Sequence, residues 1–494
     1  MKMQDLNKDI EEAIESGNTA LCCELLDCGA NIEATNNYKC TPLNISAEYG
    51  HLDVCLALLD RGADIEAKNY RKCTPLNVAA ESGCLDVCLA LLDRGADIEA
   101  KTENGRTPLH TAAESGHLDV CSALLDRGAD IEAKDDYAWT PLFFATDNGN
   151  LDICIALLDH GADIEAKNND EWTPLHVAAD NRCLDVCLAL LDRGADIEAK
   201  DIDGCTPLNT AAGCGRLDVF LFLMDHGADI EAKDNDGMTP LCVAAKNKQL
   251  DVCLVLMDRG ADIEAKDKSG RAPLYVASNY EHLDICLVLL DHGADIEAKT
   301  KNGRTPLHAI ADNGNLDVCL ALLDRGADIE AKTKNGRTPL YTAAWCEHLD
   351  VCTTLIASSA STDGVLPDHI PDHIGIQNAL KLTPLKAAVQ LGNGALLVKV
   401  LDADSDTKTL PIRAAEALQI ATEIDKQESV SILRSWISRQ AAMAAIAEFT
   451  EPTIEPTSQQ EIAARSAELN MAKVISGCCA VDHEVPKIQT CQAE

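Results

Sequence analysis

Cysteine and histidine are the residues best equipped for chemistry in this chain, and their spacing decides what they can do. There are 23 cysteines and 13 histidines. Ten cysteines, Cys22, Cys55, Cys88, Cys121, Cys154, Cys187, Cys253, Cys286, Cys319 and Cys352, fall on one lattice with a period of 33 residues. So regular a period marks a structural position, and these thiols are expected to be small buried hydrophobes. No two cysteines stand at the C-x₂-C spacing of a zinc site, and Pro371 keeps His369 and His373 from sharing a helix face. No metal and no cofactor is therefore expected. His110, His176 and His308 each follow Thr-Pro-Leu, where a structural hydrogen bond is the expected role. The chain carries no Gly-rich phosphate loop, nucleophile elbow or H-E-x-x-H, so no enzyme is expected. Cys491 stands at the prenylation distance, but Gln492 and Glu494 depart from that pattern.

The elements around these residues repeat on the same lattice. Thr41-Pro42-Leu43 recurs at Thr74, Thr107, Thr140, Thr173, Thr206, Thr239, Thr305 and Thr338, with Ala272-Pro273-Leu274 filling the gap. Thr suits an N-cap and Pro the first helical position, so a short helix should begin at each. A second helix follows, as in Leu118 to Leu125, and Gly128 stands where a left-handed residue would end it. Ala129 to Thr140 then reads as a protruding turn or β-hairpin, a fingertip linking one repeat to the next. A single helix pair of this size cannot bury its apolar face alone, so the units must stack.

Thr107-Pro108-Leu109-His110-Thr111-Ala112, repeated every 33 residues, resembles the ankyrin-repeat family, and the resemblance extends from Lys8 to about Ile356. It implies an all-α repeat solenoid of about 13 helix-turn-helix units with β-hairpin or turn fingertips. Residues 1–37 read as an amino-terminal capping repeat and 38–356 as ten regular repeats. An insertion at 357–382 contains the doublet Pro367 to Ile370 and Pro371 to Ile374. Two degenerate repeats with a cap follow at 383–440, and 441–494 reads as a flexible tail. Where the family often has Asn after its Gly-Ala-Asp-Val stretch, this chain has Glu33, Glu66, Glu99 and Glu132, so asparagine-directed modification is not implied.

A formal net charge of −39 argues against a nucleic-acid partner. No apolar run is long enough for a membrane span, and no secretory signal is read at Met1 to Glu12. The expectation is a cytoplasmic, monomeric chain that binds one or more proteins. The resemblance places partners on the fingertips and the exposed face of each first helix, which is where this sequence varies. Candidate partner-binding residues are Tyr38, Tyr70, Arg106, Tyr137, Trp139, Trp172, Arg271, Tyr280, Arg304, Arg337 and Trp345. Phe144, Phe220 and Phe222 are assigned to the core instead. Asp135, Asp136, Asp170, Glu171, Asp201, Asp203, Asp234 and Asp236 are expected to make the middle fingertips acidic. Lys268, Arg271, Lys301, Arg304, Lys334 and Arg337 should form a basic ladder beyond them. The implied function is a non-catalytic interaction scaffold or adaptor; the alternative is a secreted effector that sequesters a host protein through the same face.

Overall fold

A computed structural model describes residues 3–359, 384–403 and 410–450. The doublet with His369 and His373, Thr383 and residues 451–494 lie outside them. The chain divides into two units, Met1–Leu391 and Gly392–Glu494.

In the first unit, helix pairs follow the lattice from Met3–Glu15 and Thr19–Asp27 to Pro339–Trp345 and Leu349–Ala357. Each regular first helix starts at the proline. Thr41 is extended (φ −81°, ψ 165°), and its hydroxyl accepts from the N–H of Asn44, three residues into Pro42–Glu48. Ala272 lacks a capping side chain, yet Pro273–Asn279 still begins in place. Neighbouring helices and the proline's preset φ therefore suffice to start it.

The second helices bury one stripe. In Leu52–Asp60, Val54, Cys55 and Leu58 are wholly buried, and Val87, Cys88 and Leu91 repeat the pattern one unit on. All ten lattice cysteines are buried. Burial pushes the thiols of Cys88 and Cys121 up to about 12, as suits apolar side chains in a shared core. The second helices up to Leu316–Asp324 close on glycine, with Ser359 (φ 75°) taking the place after Leu349–Ala357: Gly62 sits at φ 86°, its N–H bonding Leu59 O while that of Ala63 bonds Leu58 O. This is a Schellman closure, and a Cβ there would be strained even though nothing crowds it.

Three polar ladders join successive repeats. The carboxylate of Glu33 accepts from Asp64 N–H at 2.7 Å, and Glu99 and Glu132 do the same to Asp130 and Asp163. Glutamate at this place is thus a clamp onto the next repeat. Arg94, Arg127 and Arg325 pair with Asp60, Asp93 and Asp291 of the preceding second helix at 2.7–2.9 Å. Backbone bonds such as Tyr70 N–H to Tyr38 O and Asn169 N–H to Tyr137 O link the fingertips. The fingertips are turns; no strand occurs among the described residues. The helix Pro384–Leu391 packs on Leu349–Ala357.

In the second unit, Leu410–Glu423 packs on Gln427–Thr450, with Ala414, Ala417, Leu433 and Trp436 buried. The last helix continues past Gln440, where the tail was expected to begin.

Candidate partner-binding face

The motif histidines are absorbed into the repeat. His110 Nδ1 accepts from Thr107 N–H at 3.1 Å, so its Nε2–H donates to Trp139 O at 3.0 Å in the next fingertip. His176 and His308 make the same bonds to Cys205 O and Arg337 O. Burial holds His110 neutral, lowering its pKa to about 4. Asn44 is isosteric in function: its Oδ1 accepts from Thr41 and its Nδ2 donates to Ala67 O at 3.2 Å. Among the described residues, no group of three or more His, Cys, Asp or Glu could hold a metal ion.

Several acids expected on the fingertip surface close its turns instead. Asp135 Oδ1 accepts from the N–H groups of Tyr137 and Trp139 at 2.9 and 2.8 Å, as Asn36 does for Tyr38 and Cys40. Asp201 and Asp234 do likewise. Asp135 and Asp201 are buried, so the acidic middle is carried by Asp136, Asp170, Glu171, Asp203 and Asp236. A buried acceptor that holds two backbone donors contributes to the turn and offers no charge to a partner.

The arginines divide in the same way. Arg106 pairs with Glu114 at 2.6 Å and lies over the Phe144 ring at 4.4 Å. Arg271 pairs with buried Asp267 at 2.6 Å, and Arg304 with Asp312 at 2.7 Å. The basic ladder is therefore partly neutralised within its own repeats. Arg337 is exposed beside Tyr341, 5.1 Å from the ring centre, and Lys268, Lys301 and Lys334 carry the other offset.

The aromatics separate by what lies beneath them. Tyr38, Tyr70 and Tyr137 are 54–64% exposed on the fingertips, and Tyr49, Tyr280 and Trp345 are exposed at the ends of first helices. Trp139 and Trp172 are half-buried against Phe143, Ala166 and Val177. Phe143 replaces the clamping His or Asn, leaving the Thr140 hydroxyl buried without a hydrogen-bond partner. Tyr275 at the same place is buried too, whereas Phe222, assigned to the core, is half-buried against His226.

Two further candidate residues escaped the sequence reading. Glu15 and Glu48 stand on the lattice of Glu81 and Glu114, and all four lie at the ends of first helices. Glu81 is neutralised by Arg71 at 3.1 Å and Glu114 by Arg106. Glu15 and Glu48 are exposed and make no ion pair among the described residues. The 33-residue spacing could have shown the row; its neutralisation needed coordinates.

The first unit is thus a stack of helix-turn-helix repeats whose variable surface is gathered on one edge. A family model described as ankyrin repeats (3 copies) matches residues 10–102, 133–201, 198–267, 233–300 and 274–368, and one described as ankyrin repeat matches 104–136. The chain belongs to the ankyrin-repeat family. No curated protein matches it significantly. Ankyrin repeats generally mediate protein–protein interaction. No helix among the described residues is long and apolar enough to cross a membrane.

Proposed function

We propose that the chain is a non-catalytic scaffold or adaptor that docks a partner protein on its fingertips and the adjoining ends of its first helices. One observation carries this reading. In the first unit, every exposed Tyr or Trp among the described residues lies on that edge, while last-turn aspartates of the second helices such as Asp60, Asp93 and Asp291 pair with arginines of the next repeat. Exposed aromatic rings on a rigid edge are what partner hot spots are built from. A reducing compartment suits the reading, because the lattice thiols act as apolar side chains.

Photo-crosslinking side chains placed singly at Tyr137 and Trp345, and at Leu188 on a second helix, test this in cells. Adducts of one protein from the first two positions are expected. Adducts from Leu188 alone would place the partner on the opposite side and overturn the proposal.

A further inference from the structure

The richest exposed aromatic patch lies at the amino-terminal end of the first unit. Tyr38, Tyr49 and Tyr70 line a groove of about 540 Å³ together with Glu11, Glu15, Glu48, Arg71 and Glu81. Tyr38 and Tyr70 touch, their ring centres 5.9 Å apart. Arg71 is committed to Glu81, and Glu11 accepts only a neutral bond from Asn36. The groove therefore joins three exposed rings to three carboxylates that no cation in the described chain neutralises.

The molecule itself contains the arrangement that this groove lacks. Tyr280 occupies the lattice place of Tyr49, and both rings stack on the histidine two residues on, at 6.3 and 5.9 Å. Above Tyr280 sits the ammonium of Lys246, 6.0 Å from the ring centre. Thirty-four residues before Tyr49, where Tyr280 has Lys246, stands Glu15. At this place the built-in cation is replaced by an exposed carboxylate. A ring face and a carboxylate together suit a cation supplied from outside.

Resting on the docking reading above, we propose that this groove takes an extended basic peptide segment of the partner, with a Lys or Arg side chain over Tyr49 between Glu15 and Glu48. The three first helices it crosses are ~10 Å apart, so a stretch of roughly six to seven extended residues would span them. Complementary charge sets the sign of the occupant; the tyrosines distinguish this groove from the general acidity of the chain.

A fluorescent peptide of about ten residues alternating Arg with Gly and Ser is the probe, titrated by anisotropy against the full chain; a Glu-for-Arg peptide is the control. Glu15→Gln with Glu48→Gln should weaken binding about tenfold and flatten its salt dependence. Tyr49→Leu should weaken it about fivefold while leaving the salt dependence in place. Asp136→Asn with Asp203→Asn, which removes two exposed carboxylates elsewhere, should change little, and thermal melting checks that each variant is folded. Equal losses in the two charge variants, or full binding by folded Tyr49→Leu, would reduce the effect to net acidity and overturn the inference. Self-association that depends on Glu15 and Glu48 would assign the groove to a second copy and overturn it as well. Failure here with fingertip crosslinks intact at Tyr137 and Trp345 would sink this inference alone, leaving the docking reading standing.

Discussion

Tyr38 and Tyr70 occupy one stretch of fingertips and Trp139 and Trp172 another, and the two pairs differ in what the adjoining first helix offers. Beside the tyrosines, Asn44 and Asn77 satisfy the N-cap and donate to the next fingertip, at Ala67 O and Ala100 O. The polar clamp closes the repeat, and the rings are left outside. Beside the tryptophans stands Phe143, which can make neither bond, and the indoles pack over it to fill the place. The comparison teaches that a ring at the last fingertip place, as Trp139 and Trp172 are, is recruited to the core where Phe143 stands for the polar clamp. A ring at the turn tip, as Tyr38, Tyr70 and Tyr137 are, stays free to meet a partner.

The largest effect should come from removing the recruited rings. Trp139→Ala and Trp172→Ala are expected to cost roughly 2–4 kcal/mol each, less than a fully buried Trp at the upper end. Tyr38→Ala and Tyr137→Ala should stay within about 0.5 kcal/mol. Chemical denaturation measures both, and equal costs for the two groups would break the comparison.

Acid should strain the histidine clamps and spare the asparagine ones. His110 has a folded pKa of about 4 against about 6.5 unfolded, so the unfolded chain binds more protons between these values. Its contribution is whole above about pH 6.5 and is lost as pH falls towards 4. His176 and His308 are lowered in the same direction by burial. Replacing all three by Asn should leave stability at pH 7 nearly unchanged and remove roughly 2 kcal/mol or more of the loss at pH 5. Melting at the two pH values decides this; an unchanged acid sensitivity would show that the imidazoles are not the titrating groups.

A smaller effect belongs to the clamp common to both regions. Glu132→Ala leaves Asp163 N–H without its carboxylate and should cost about 1 kcal/mol, read from the denaturation midpoint. Smallest of all is the left-handed turn residue. Lys39 (φ 54°) and Ala138 (φ 60°) hold a place filled by Gly105, Gly204 and Gly237 elsewhere. Lys39→Gly and Ala138→Gly should each stabilise by about 0.5 kcal/mol. Similar gains in the two regions would show that the turns themselves are alike.

The helix starts, the buried cysteines and the fingertips were legible in the sequence because each recurs at one lattice position. The roles of Asp135 and Asp201 were not, since an exposed acid and an acid whose oxygen closes a turn look alike in composition. Arg106 with Glu114 and Arg304 with Asp312 were hidden for a related reason: each pair joins positions eight residues apart within one repeat, and a lattice compares repeats position by position. Their co-occurrence was the available signal. Phe143 was noted as a replaced histidine, but its pull on Trp139 and Trp172 is a matter of packing, which side-chain type alone does not convey.

The most direct test of the division of labour is the affinity of the crosslinked partner for single-ring variants of the full chain, measured alongside their unfolding midpoints. Tyr38→Ala and Tyr49→Ala should weaken binding about tenfold with midpoints unchanged, whereas Trp139→Ala should lower the midpoint and, while folded, bind within about threefold of the parent. Loss of binding confined to folded Trp139→Ala, with both tyrosine variants binding normally, would contradict the account.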